Sequence, residues 1–155
     1  MNYEGYLIDK SNNRVIPNQD FFKRVGSFNT SSNYTIPSIT WHNIKYNNNI
    51  IDNAFINFTA DGRILINKKG LYLFNVEYDF GANITEGSDI IYKASVNDIE
   101  KVRDICNHGT RAGRNLCFIL DLNNSDVVSL EIYNDSANAY PIAQNYNWLN
   151  VYYIR

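Results

Sequence analysis

Between residues 61 and 78, apolar side chains recur at every second position, in two runs separated by the polar turn Asn67 to Gly70. Ile64 and Ile66 fall on one side of the first run, and Tyr72, Phe74, Val76 and Tyr78 on one side of the second. A period of two marks an extended chain, whose successive side chains point to opposite faces of a sheet. A helix needs apolar residues three and four apart, which these runs do not offer. Their β-branched and aromatic content suits a half-buried pleated surface.

The same alternation returns in Val127 to Tyr133, where Val128, Leu130 and Ile132 face one way and Val127, Ser129, Glu131 and Tyr133 the other. Ile90 to Val96 and Ile99 to Cys106 flank Asn97-Asp98, a dipeptide whose side chains tolerate positive φ in a two-residue hairpin turn. A helix over Asn97 to Ile105 is the rival, because Ile99, Val102 and Ile105 recur at threes; the turn-like start and short length favour the strand. Asn47 to Asn49 and Asp61-Gly62 read as turns, and Gly81 to Asp89, Asn107 to Asn115 and Asp135 to Ala139 as loops. Residues 1–36 carry two extended candidates, Tyr6 to Ile8 and Phe21 to Phe28, and read as a lead-in or as an edge hairpin of the main domain at 37–155.

The last strand breaks the one-sided rule. Trp148, Tyr152 and Ile154 lie on one face, and Leu149, Val151 and Tyr153 on the other. An antiparallel sheet ordinarily shows one face to water, so a strand apolar on both implies that both are covered. Leu71 and Leu73, opposite Tyr72 and Phe74, point the same way. Either a partner subunit or the first 36 residues could provide the cover.

Composition narrows the function. The 155 residues are 45% hydrophobic, 19% charged and 14% aromatic with twelve Tyr, which fits one all-β sandwich with a core of its own. A net charge of -2 and scattered basic residues give no electrostatic reason to expect nucleic acid or an anionic membrane as partner. No apolar run is long enough for membrane insertion as a helix, and the polar start Met1 to Gly5 shows no visible signal peptide.

Several motifs together resemble the globular complement C1q domain and its relative, the tumour necrosis factor domain. Gly70-Leu71-Tyr72-Leu73-Phe74 matches that family's Gly-x-Tyr-x-Phe, with Ile64 six places upstream where an aromatic is usual and Val76 where the pattern ends on another aromatic. Ile39 to Asn47 is similar to an early strand, and Cys117 to Tyr133 to the family's strand, turn and Asp-x-Val-x-Leu-x-Val arrangement, so the resemblance spans roughly 37–155. It implies a jelly-roll β-sandwich of about ten antiparallel strands and a homotrimer. Leu71, Leu73, Leu149, Val151 and Tyr153 are then the candidate trimer interface, and Ile64, Gly70, Tyr72 and Phe74 the core motif.

Catalytic chemistry finds little support. His42 and His108 are the only histidines, and neither stands in a metal-binding or Cys-His pattern. Cys106 and Cys117 bracket the Asn107 to Leu116 segment symmetrically. If that segment joins antiparallel strands, the two fall within disulfide reach; the alternative is two ordinary thiols. Calcium occurs at the trimer apex of some relatives, but no Asp-rich loop assigns it here, so no cofactor is expected. Six Asn-x-Ser/Thr sequons, at Asn29, Asn33, Asn57, Asn83, Asn123 and Asn134, are what chance predicts in an Asn-rich chain. The expectation is therefore a non-enzymatic, trimeric, surface-exposed binding or capping module on a virion, phage fibre, spore or cell. It would recognise a protein or glycan ligand through loops bearing Asn83, Glu86, His108, Arg111 and Arg114. A coat subunit and a lectin-like jelly roll are the alternatives.

Overall fold

The computed structural model describes residues 7–8, 14–15, 22–30, 34–83, 89–107, 111–142 and 147–154. Among the described residues fifteen strands follow in chain order: β1 Leu7–Ile8, β2 Arg14–Val15, β3 Phe22–Asn29, β4 Tyr34–Ile36, β5 Trp41–Asn43, β6 Asn47–Ile51, β7 Ile56–Phe58, β8 Ile64–Ile66, β9 Gly70–Asn83, β10 Asp89–Val96, β11 Ile99–Asn107, β12 Arg111–Leu122, β13 Val127–Asn134, β14 Tyr140–Ile142 and β15 Trp148–Ile154. Every pairing is antiparallel. Apart from the β1-β2 pair they form two sheets. The first runs β4-β14-β9-β15-β3-β6, with β12 on the other side of β9; the second runs β11-β10-β13-β8-β7, with β5 also on β13.

The alternation sets which side chains fill the space between the sheets. Tyr72, Phe74, Val76, Tyr78, Leu149 and Val151 come from the first sheet, and Ile64, Ile66, Ile90, Tyr92, Val128 and Ile132 from the second; all are buried. Tyr78 stacks on Tyr92 across the gap with ring centroids 4.3 Å apart, and Phe74 stacks on Phe118 at 5.3 Å. Offset aromatic pairs of this kind add to what area burial alone contributes.

Turn chemistry holds where it was predicted between β10 and β11. Asn97 and Asp98 have φ of 51° and 63°, and the strand reading of Ile99 to Cys106 prevails over the helix. Elsewhere three expectations change. Asn47 to Asn49 is the start of β6 rather than a turn, because its backbone pairs with Phe28 and Asn29. The predicted loops are shorter than drawn, since β9 continues to Asn83, and Asn107 and Arg111 to Asn115 lie in β11 and β12. The proposed boundary at residue 37 also moves: β3 lies inside the first sheet, with Val25 and Phe28 in the core, and β4 pairs with β14. Residues 22–30 and 34–36 therefore belong to the sandwich.

Candidate interaction surfaces

Strand register decides which side of β15 meets the core. Leu149 pairs with Val76, Val151 with Phe74 and Tyr153 with Tyr72, and directly paired residues share a face. Leu149 and Val151 are accordingly fully buried in their own chain. Tyr153 lies half-buried against the same core, 4.8 Å from the Phe55 ring and 5.4 Å from that of Tyr72. These three were expected at a subunit interface; the structure assigns them to the interior instead. Leu71 and Leu73 do lie on the outward side, where the partners on β15 are Ile154 and Tyr152.

The outward face of the first sheet is a regular array. Across β12, β9, β15 and β3, one row reads Asp121, Leu71, Ile154, Phe22 and the next Ile119, Leu73, Tyr152, Arg24. Leu71 is 43% exposed, Phe22 50% and Ile119 56%. With strands about 4.8 Å apart and rows two residues apart, the block measures roughly 14 by 7 Å between backbone positions. A bulge at Val25 keeps β3 in this pattern, turning Arg24 outward opposite Tyr152. Sequence reasoning missed Tyr152, Ile154, Phe22 and Ile119. Ile119 was legible as the outward residue between Phe118 and Leu120, whereas the β15 assignment needed the register. Beyond the β12 edge lies an open and largely polar groove of about 410 Å³, where Val96, Ile99, Ile119 and Leu120 stand among Asn97, Lys101, Asp121, Asn123 and Asp126.

The outward face of the second sheet has one apolar row, Ile105, Ile91, Tyr133 and Trp41, beside a charged one. Lys93 bonds Glu131 at 3.2 Å, Arg103 bonds Glu100 at 2.7 Å, and Trp41 lies beneath Lys93 Nζ at 4.0 Å from its ring centroid. Tyr133 packs beside Trp41. Here the aromatic surface is covered by the stems and charges of its own neighbours.

The two ends of the sandwich also differ. At one, side chains lock the turns together: Asn97 donates to Asp126 at 2.8 Å, Val127 N donates back to Asn97 Oδ1, and Arg63 bonds both Asp61 and Asp98. Thr59 donates to Asp61, and this bond with the Arg63 charge holds the Asp61 carboxyl below its usual range. Asp52 is likewise lowered, chiefly by its hydrogen bond with Lys23. At the other end, the pairs Asp89 with Asn107 and Arg111 with Asn83 bring together the strand ends leading into both candidate loops. Glu86 and His108, and the side chains of Asn83, Arg111 and Arg114, lie outside the described residues.

The core motif explains its own residues. A methyl group at Gly70 would stand 2.4 Å from Tyr153 Cε2, so only glycine lets that ring lie against the backbone. Tyr72 donates its hydroxyl to Lys68 O at 2.5 Å and also reaches Phe55 O at 3.3 Å, pinning the turn where the chain crosses from one sheet to the other. Burial, with a smaller contribution from Tyr153, raises the Tyr72 phenol well above its ordinary value.

The disulfide expectation fails on geometry. Cys106 is in β11 of the second sheet and Cys117 in β12 of the first, so they do not face each other across a hairpin, and Cys117 is a free, exposed thiol next to Asn75 on the apolar face. Among the sequons, Asn57 and Asn123 are exposed, whereas Asn134 is buried and donates to Asn138 O. Among the described residues no three His, Cys, Asp or Glu side chains gather as metal ligands, and no helix is long and apolar enough to cross a membrane.

By sequence, no family model and no curated protein matches the chain. Solved structures do match by shape. The Eiger TNF of S. frugiperda superposes with a TM-score of 0.64 at 10% identity, over 85% of this chain and 93% of that one. Murine APRIL superposes at 0.63, also at 10% identity, over 84% of this chain and 98% of that one. With the sheet order and the interior described above, the chain has the jelly-roll fold of the tumour necrosis factor-like proteins.

Proposed function

We infer that this protein is a non-enzymatic, homotrimeric recognition module, displayed on the outside of a particle or cell. The observation that carries the reading is the apolar block on the outward face of the first sheet, in two adjacent rows on its central strands. The opposite sheet carries one outward apolar row, Ile105, Ile91, Tyr133 and Trp41, but the row beside it, Arg103, Lys93, Glu131 and Asn43, is charged and ion-paired, so two adjacent apolar rows distinguish the first sheet. A contiguous apolar patch is the usual mark of a protein contact. The resemblance to C1q and tumour necrosis factor domains supplies the expected number of copies, three.

Assembly through that face leaves the ends of the sandwich free. Strand ends leading into residues 84–88 and 108–110 stand together there, and three copies of one weak site would gain avidity by effective concentration. The ligand class is a protein or a glycan. The sandwich itself supplies the rigid scaffold such loops need.

Sedimentation equilibrium over a concentration series tests the reading, with the mass of three chains as the expected result. A single chain at every concentration would overturn it. Assembly well beyond three copies would favour the coat-subunit alternative, and binding on a glycan array would assign the ligand class.

A further inference from the structure

We propose that an ion pair between Arg24 of one copy and Asp121 of its neighbour sets the register of the assembly. This rests on the apolar block being the self-association surface. Arg24 and Asp121 are the two charged positions of that eight-residue array, and they occupy diagonally opposite corners, Asp121 on β12 and Arg24 on β3. Both are exposed. Lys23, Arg63, Lys93 and Arg103 each hold a carboxylate within their own chain; Arg24 and Asp121 have no ion-pair partner among the described residues.

A rotation axis running along the strands keeps every row at its own height, so apolar rows meet apolar rows. In a ring about such an axis, the β12 side of one copy meets the β3 side of the next. Asp121 and Arg24 then approach with an offset of one row, about 7 Å along the strand, which a guanidinium on its long stem can span. The reverse arrangement would set Asp121 against Asp121 and Arg24 against Arg24 on a drying surface, where like charges are costly. Complementary ends also let the contact close into a ring. Asp121 lines the open groove beside β12, together with Lys101 of its own chain.

Three variants test this: Arg24→Asp, Asp121→Arg and the double exchange. Each single change should raise the concentration at which the assembly dissociates by about tenfold or more, and the double exchange should return it to within about threefold of the original. Both positions are exposed, and far-UV circular dichroism of each variant checks that it folds. Two singly altered proteins that assemble as the parent does would overturn the ion pair while leaving the trimer standing. A double exchange no better than the singles would overturn it as well. A parent mass of two chains would overturn the ring that brings the pair together, and a parent that never assembles would overturn the function reading beneath it.

Discussion

Val151 and Leu73 sit one position of register apart on neighbouring strands, on opposite faces of the sheet, and should answer to truncation or charge in opposite ways. Val151 is fully buried opposite Phe74. Val151→Ala removes two methyl-sized groups, about 1.6 kcal/mol of transfer free energy at roughly 0.8 kcal/mol each. The unfilled space brings the loss to about 2–3 kcal/mol. For a chain of this length that lowers the melting temperature by roughly 5–10 °C, with the mass in solution unchanged. Leu73 faces outward beside Ile119 and Tyr152. Leu73→Asp should change the stability of the single chain by no more than about 0.5 kcal/mol. Yet an unpaired carboxylate in each of three closed contacts costs about 3–5 kcal/mol apiece, enough to leave single folded chains. Thermal melts and sedimentation of both variants check the pair. If Val151→Ala dissociated the assembly at an unchanged melting temperature, or Leu73→Asp unfolded the chain, the sidedness of β15 would be wrong.

Three further outcomes follow from local geometry. Gly70→Ala should lower the urea midpoint by the equivalent of about 1–3 kcal/mol through its clash with the Tyr153 ring, and by less in a Tyr153→Ala background. Tyr72 has its folded-state value raised above the ordinary 10.0, so its contribution is present below that pH and lost as pH rises toward the folded value. Melting temperature should therefore fall at alkaline pH, and fall less steeply in Tyr72→Phe. In a Cys106→Ser background, the exposed Cys117 thiol should react more slowly with a thiol reagent in the assembled protein than in Leu73→Asp, since it borders the apolar block.

Period and turn chemistry carried most of the fold. Tyr72, Phe74, Val76 and Tyr78 are the buried side of β9 as the alternation requires, and Asn97-Asp98 forms its hairpin because both side chains accept a left-handed backbone. What local pattern cannot convey is which strand lies beside which. Asn47 to Asn49 looks like a turn until β3 supplies a partner for its backbone, and β3 itself lies outside the family resemblance, so only its pairing with β15 and β6 shows that it belongs to the sandwich. Cys106 and Cys117 are equidistant from Arg111-Ala112, yet the chain between them changes sheets, so symmetry in sequence does not become proximity in space.

The same limitation shaped the interface expectation in an instructive way. That β15 is apolar on both faces is a property of composition and was readable; which face is spoken for by the chain's own core is a property of register. Shifting β15 by one residue against β9 would have set Trp148, Tyr152 and Ile154 inside and sent Leu149, Val151 and Tyr153 out. Two local contacts hold the observed register: Tyr153 occupies the space that Gly70 leaves open, and Ser27 on β3 donates to Asn150 at 2.8 Å on the outward side. The glycine of the Gly-x-Tyr-x-Phe motif thus acts beyond its own strand. By admitting the Tyr153 ring it fixes β15, and β15 in turn presents Tyr152 and Ile154 beside Leu73 and Leu71, so one missing side chain inside the sandwich determines the apolar face outside it.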